Sequence, residues 1–211
     1  MPVKRLVMIM GFQRSGTTAL FNTLSTASGV SARHEHPDDE IYAQYELRPE
    51  VEIRPVLHSL PGTVLLKPVK ESAKRSPLEV AEEFGDYDLT IVWLYRDPVN
   101  VYQSWQRKGW VKKVVPNGFG YHWVRRNARC LDSIAALGER LVIVRYEDLV
   151  SQPACVDALA ERLGFVVRST LQADSNAGRV HLPAEVQETI DGATRGMLAR
   201  LDDARSIRPS A

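Results

Sequence analysis

The chain has 211 residues, 44% hydrophobic and 25% charged, with 27 Lys and Arg against 26 Asp and Glu for a formal net charge of +1. That length suits one large domain or two very small ones, and that balance suits a soluble globular chain with a sizeable core and excludes a disordered one. Near-neutrality excludes a whole-protein attraction to nucleic acid or membrane, so any anion site must be local.

The N-terminal "MPVKRLVMIMGF" imitates a secretory signal, with Lys4 and Arg5 ahead of apolar residues. The apolar run stops at Gly11, too short for such a signal and without a small-residue cleavage site. No stretch approaches the ~20 apolar residues of a membrane helix. Cys130 and Cys155 form no C-x-x-C pair and sit near no histidine at metal-ligand spacing, so they read as two reduced thiols. The expectation is a cytoplasmic protein without membrane insertion.

Taken in order, "RLVMIM" (5–10) is a continuous β-prone apolar run, the pattern of a strand buried on both faces. It enters "GFQRSGTTAL" (11–20). Gly11 and Gly16 are spaced like the glycines of the phosphate-cradling loop G-x-x-x-x-G-K-[ST], with Thr18 at the magnesium-binding hydroxyl. Thr17 replaces the lysine, and a basic residue, Arg14, has moved inside the loop. "TTALFNTLSTA" then has helical spacing, so strand, glycine loop and helix follow in the order that the loop requires.

Residues 31–55, "SARHEHPDDEIYAQYELRPEVEIRP", are polar and proline-punctuated and read as loop with short helical pieces. "TVLLK" (63–67) is a second strand. "SPLEVAEEFG" (76–85) is a helix with a Ser cap, proline at its first position and a Gly stop. "LTIVWLY" (89–95) is a third strand, and "RDPVNVYQSWQ" opens a helix with Asp97 as N-cap and Pro98 behind it. A long helix is expected over 121–138, a fourth strand over "LVIVRY" (141–146) and a helix over 156–164. The last helix carries Val186, Ile190, Met197 and Leu201 at spacings of three and four.

Strands alternating with helices, without repeats or composition breaks, predict a single α/β domain over 1–211. It is a three-layer sandwich with a mostly parallel sheet of four to five strands, P-loop NTPase-like. Ligands of such sheets bind beyond the carboxyl ends of the strands. That rule selects Arg14 to Thr18, Lys67 to Glu71, Arg96 to Ser104 and Arg145 to Asp148. Amides of Ser15, Gly16, Thr17 and Thr18 at a helix start make a nest of donors, and Arg14 adds a forked cation suited to an oxyanion. Arg96 at a strand end and Ser104 about two turns into the next helix are placed to share a second phosphate.

"GFQRSGTTAL", "LYRDPVNVYQSW" and "VRYEDLVSQP" together resemble three successive signatures of the sulfotransferases that use 3′-phosphoadenosine-5′-phosphosulfate (PAPS) and release adenosine 3′,5′-bisphosphate (PAP). The match in order and spacing runs from about residue 6 to 153. The resemblance implies that Arg14 to Thr18 bind the 5′-phosphosulfate and that Arg96 and Ser104 bind the 3′-phosphate. It makes "RYEDL" a marker of the fold. Arg14 in the loop resembles the carbohydrate and tyrosylprotein branch, where much of the family has lysine. Lys67 matches the family's strand-end lysine, implying stabilisation of the transferring sulfonyl. A sulfonyl carries less charge than the terminal phosphate of ATP, so oriented amides and an arginine suffice without a metal.

The general base is left between three residues. The cytosolic enzymes place a histidine two residues after the strand lysine, and here that position is Val69. Glu35 best fits the spacing of the glutamate base in tyrosylprotein and several bacterial enzymes. Glu40 resembles the glutamate before an isoleucine in heparan N-sulfating enzymes, and His36 is the third candidate. Arg179, in "SNAGRVHLP", faintly resembles the late loop over the 3′-phosphate. Arg48, Arg54, Arg107, Lys108, Lys112 and Lys113 are basic patches for an acidic acceptor or simply solvated surface. Trp105, Trp110, Tyr121 and Trp123 line an acceptor pocket or the core. The expected partners are PAPS and a hydroxyl- or amine-bearing acceptor. Two other readings stand beside this one. A P-loop kinase or hydrolase requires a lysine at 17 and an acidic magnesium ligand at a strand end. A degenerate PAPS-binding protein would keep Arg14, Arg96 and Ser104 without a base.

Overall fold

A computed structural model describes residues 3–110, 115–167, 170–171 and 181–209. In chain order it has β1 (Arg5–Gly11), α1 (Thr17–Leu24), β2 (Val30–His34), a hairpin of β3 (Tyr42–Ala43) and β4 (Glu46–Leu47), α2 (Glu50–Ser59) and β5 (Thr63–Lys67). There follow α3 (Pro77–Glu83), β6 (Asp88–Tyr95), α4 (Pro98–Arg107), α5 (Pro116–Asp132), α6 (Ile134–Leu137), β7 (Leu141–Arg145), α7 (Tyr146–Ser151), α8 (Pro153–Arg162) and α9 (Ala184–Ala204).

Five strands form one sheet in the order β2-β5-β1-β6-β7, every pair parallel. β1 is central, and its alternation divides the interior. Leu6, Met8 and Met10 enter one core with Ile53 of α2, Val80 of α3, Trp123 of α5 and Leu201 of α9. Val7 and Ile9 enter the other, with Leu20 and Leu24 of α1, Leu149 of α7 and Leu159 of α8. Helices therefore cover both faces of the sheet, the three-layer α/β arrangement the alternating pattern predicts. No described helix is long and apolar enough to cross a membrane.

The capping chemistry sits where the sequence places it. Ser76 and Glu79 form a reciprocal capping box at α3. Asp97 accepts from the Asn100 amide at 3.0 Å at α4. The long helix expected over 121–138 instead starts at Pro116 and ends at Asp132, with α6 separate after it. "RYEDL" folds as the tail of β7 and the start of α7.

Residues 31–55 differ most from expectation. Loop with short helical pieces is expected there; the helical part is α2, about three turns long and running on to Ser59, whereas β2 and the hairpin are strands that the reading does not include. β2 is an edge strand with one partner and no fully buried residue, so it needs no apolar run. α2 buries only Glu50, Ile53 and Leu57, and it carries Pro55 in its interior on the exposed side. Proline has no N–H for the carbonyl of Val51, and Val51 is itself 75% exposed, so water can take that bond.

Candidate active site

The turn between β1 and α1 opens the site. Gly11 leaves β1, and Arg14 and Gly16 both have left-handed φ, at 73° and 94°. Gly16 has two reasons to lack a side chain. L residues avoid that φ, and an added Cβ would lie 2.2 Å from the ring of Tyr146. The chain then enters α1 at Thr17, whose first amides have no intrahelical acceptor. Phe12 is held from below. It stacks on Trp105 with centroids 5.5 Å apart, and the Arg126 guanidinium lies 4.6 Å from its ring. Burial and the neighbouring Arg129 push Arg126 down to about 10.

β6 and α4 deliver the second half. Arg96 and Ser104 are 6% and 1% exposed, far from the solvated ion pair that a strand-end arginine usually makes. The Arg96 guanidinium carbon lies 4.6 Å from the Tyr146 ring, and its Nη1 donates to the Arg14 carbonyl at 3.4 Å. Arg14 Nε donates to Ser104 Oγ at 3.0 Å, so loop and helix are bonded directly. Arg96 Nε stands 3.9 Å from Glu147 Oε1, beyond hydrogen-bond reach. Arg96 Nε and Ser15 Oγ are both buried and have no hydrogen-bond partner among the described residues. These groups surround a cavity of about 180 Å³ lined by Arg14, Gly16, Thr17, Thr18, Ala19, Arg96, Ser104 and Tyr146. Its lining holds two guanidiniums and no carboxylate.

β2 and β5 deliver the third group. Their register sets His34 opposite Lys67, so Glu35 follows directly past the edge. Lys67 is 4% exposed, and its Nζ donates to Glu35 Oε1 at 2.6 Å. The other carboxylate oxygen accepts from the Val69 amide at 3.2 Å. Glu35 lines a second cavity of about 460 Å³ with Gln13, Arg14, Thr17, Thr18, Tyr45, Val69, Lys70 and Trp110. An adjoining cavity of about 350 Å³ has Thr18, His34, Glu35, Tyr45 and Lys67 in its wall. Arg14, Thr17 and Thr18 thus form a partition with a basic cavity on one side and Glu35 on the other.

The structure brings together Arg14, Ser15, Gly16, Thr17, Thr18, Arg96 and Ser104, with Glu35 and Lys67 next to them. It does not bring Glu40 or His36 there. Glu40 is exposed beside a separate cavity with Arg33, Asp39 and Ile41. His36 is exposed and its Nδ1 bonds the backbone of Asp38. Arg179, Lys112 and Lys113 lie outside the described residues. Arg48 pairs with Asp38, and Arg54 pairs with Glu50 and Asp86. Of the four aromatics, Trp105 and Trp123 are core and Tyr121 is exposed; Trp110 lines the larger cavity.

Among the lining residues that sequence reasoning misses are two tyrosines. Tyr146 lies inside "VRYEDL", a segment read as a fold marker, yet its ring touches both Gly16 and Arg96. Tyr45 is carried on the β3–β4 turn, whose central residues Gln44 and Tyr45 both have positive φ. That turn ordinarily takes Asn-Gly, so no local signal marks it.

No protein-family model and no curated protein matches the sequence. Solved structures do match in fold. A sulfotransferase from Alicyclobacillus acidocaldarius superposes with a TM-score of 0.65 at 17% identity, covering 98% of each chain. The sulfotransferase domain of an olefin synthase from Synechococcus PCC 7002 gives 0.60 at 17% identity over 99% of this chain and 98% of that one. A mouse sulfotransferase complexed with PAP gives 0.58 at 10% identity over 95% of this chain and 88% of that one. The chain therefore has the α/β fold of the solved sulfotransferases.

Proposed function

We propose that residues 1–211 act as one sulfotransferase domain that moves a sulfonyl group from PAPS to an acceptor hydroxyl or amine. The observation that carries the reading is the shared partition of Arg14, Thr17 and Thr18, with a cation-lined cavity on one face and the Glu35–Lys67 pair on the other. The residues fit the donor nucleotide. Two buried donors, Ser15 Oγ and Arg96 Nε, have no partner among the described residues, and phosphate oxygens are acceptors that would suit them. Thr17 and Thr18 start a helix whose positive end favours an anion.

When bound, the donor supplies the activated sulfonyl. The residues of this chain do the rest. Arg96 and Ser104 hold the 3′-phosphate, with Arg179 as a further contact. Arg14 and the amides of Ser15 to Thr18 hold the 5′ end and accept charge as the bridging oxygen departs. Lys67 stabilises charge on the transferring group. Glu35 takes the acceptor proton at the wall of the larger cavity. Tyr45 and Trp110, about half exposed, flank that cavity and contact the acceptor. No divalent ion takes part. Two buried reduced thiols accord with a cytoplasmic setting.

Thermal unfolding tests the reading. PAP at about a hundred times its Kd, in the presence of EDTA, should add about 2.7 kcal/mol, which is about 5–10 °C in Tm for a chain of this size. Transfer of radiolabelled sulfate from PAPS to a panel of phenols, sugars and alcohols then identifies the acceptor. Stabilisation by ATP with magnesium and none by PAP would replace this reading with a kinase or hydrolase.

A further inference from the structure

A hydroxyl is built into the junction between the two strands that carry Glu35 and Lys67. Tyr42 is fully buried, and its phenol donates to the Arg33 carbonyl of β2 at 3.2 Å and accepts from the Lys67 amide of β5 at 3.3 Å. Arg33 and Lys67 are next to each other across the register, since Arg33 pairs with Leu66 and His34 with Lys67. One phenol oxygen therefore bridges the last turns of backbone before both side chains depart. Burial pushes the Tyr42 hydroxyl far above its ordinary pKa, so it keeps its proton, and its donor role, at any working pH.

The phenol does not depend on those strands for its own position. The Asp39 carboxylate accepts from the Ile41 and Tyr42 amides at 2.8 and 2.6 Å, and the Asp39 amide donates to the Tyr42 carbonyl at 2.8 Å. Across the hairpin Tyr42 pairs with Leu47, whose amide donates to Glu71 at 2.9 Å. A ring so anchored acts as a fixed spacer. Beyond it, the Glu35 carboxylate spans the same gap, from Lys67 Nζ to the Val69 amide.

We propose that Tyr42 is a positioning residue for the transfer reaction, its hydroxyl setting the spacing at which Glu35 and Lys67 meet. This rests on the function proposed above for that pair. Tyr42 touches neither donor nor acceptor and acts through the two strand ends. Without the hydroxyl, the Arg33 carbonyl and the Lys67 amide lose a buried partner, or the strand ends close on each other. Either change displaces Glu35 from the line between Lys67 and Val69.

Tyr42→Phe, which keeps the ring, tests this by hydrogen exchange on the free protein. The Lys67 amide exchanges faster under any account, because it loses its own acceptor. The informative probe is the Val69 amide, which bonds Glu35 and not Tyr42: it should exchange at least tenfold faster, with the β1 amides unchanged. An unchanged Val69 rate overturns the proposal. If Tyr42→Phe does not fold, 4-fluorophenylalanine at this position keeps the ring and fills the hydroxyl's space without a donor to Arg33; a Val69 rate equal to wild type then overturns it. In turnover, followed as PAP release from PAPS, kcat should fall at least tenfold with KM for PAPS within threefold. In a Glu35→Gln background Tyr42→Phe should bring no further loss, and additive losses overturn the proposal. The exchange arm needs no nucleotide, so a protein that fails to bind PAP refutes the proposed function and leaves the spacing role to be decided by Val69.

Discussion

Glu35, His36 and Glu40 lie close together in sequence, and the fold parts them. Glu35 follows a strand edge and turns toward Lys67, whereas the other two stay exposed on the far side of the turn. Spacing alone leaves the three together, because the direction of a side chain in a polar run depends on which strand precedes it. Glu35→Gln keeps an acceptor for Lys67 or Val69 while removing the proposed base. It should lower transfer at least 100-fold, a loss within the usual range for a general base, and leave PAP affinity within about twofold. Radiolabel transfer and calorimetry read the two. Arg96→Ala removes a buried guanidinium from a cavity without carboxylates and should weaken PAP about 10–100-fold, in line with a charge-assisted hydrogen bond. The glycine loop and the "RDP" helix were legible because each needs unusual residues at fixed places. Tyr45 and Tyr42 were not, since an ordinary tyrosine in a polar stretch looks the same whether it faces water or a cleft.

At the scale of elements, the strands that were easy to read are those buried on both faces. β1, β5, β6 and β7 are each built on an unbroken or nearly unbroken apolar run because helices cover both sides. β2 has cover on neither face so complete, and its "VSARH" gives no such signal. α2 runs past Pro55, which sequence logic treats as a stop, and so is longer than the short helical piece expected there. Its persistence means that tertiary packing of Ile53 and Leu57 outweighs the local penalty. Pro55→Ala should therefore restore a donor to the Val51 carbonyl and raise stability by about 1–2 kcal/mol, less than the full helix-interior cost of proline because the unfolded chain gains freedom. Urea unfolding measures it, and an unchanged midpoint would mean that water already satisfies that carbonyl.

For the molecule as a whole, α9 closes one core, and the chain just beyond it reaches the other. Ile190, Met197 and Leu201 pack among the residues under α5, and Ile207 packs with those under α1 and α8. Arg205 pairs with Asp148, and Asp202 accepts from Arg145 and from Tyr95, whose hydroxyl burial holds well above its ordinary range. Leu201→Ala should cost about 2–5 kcal/mol, as deletion of a fully buried leucine does, read as a lower urea midpoint with m unchanged. The ring of Tyr146 ties distant parts of the chain together in another way. It lies against Gly16 and carries Arg96, so one ring lines the anion cavity in contact with both halves of it. Positions 16 and 146 are in effect one locus written twice along the polypeptide. Trimming the ring at 146 would still not admit a side chain at 16, because the left-handed backbone there holds the position to glycine.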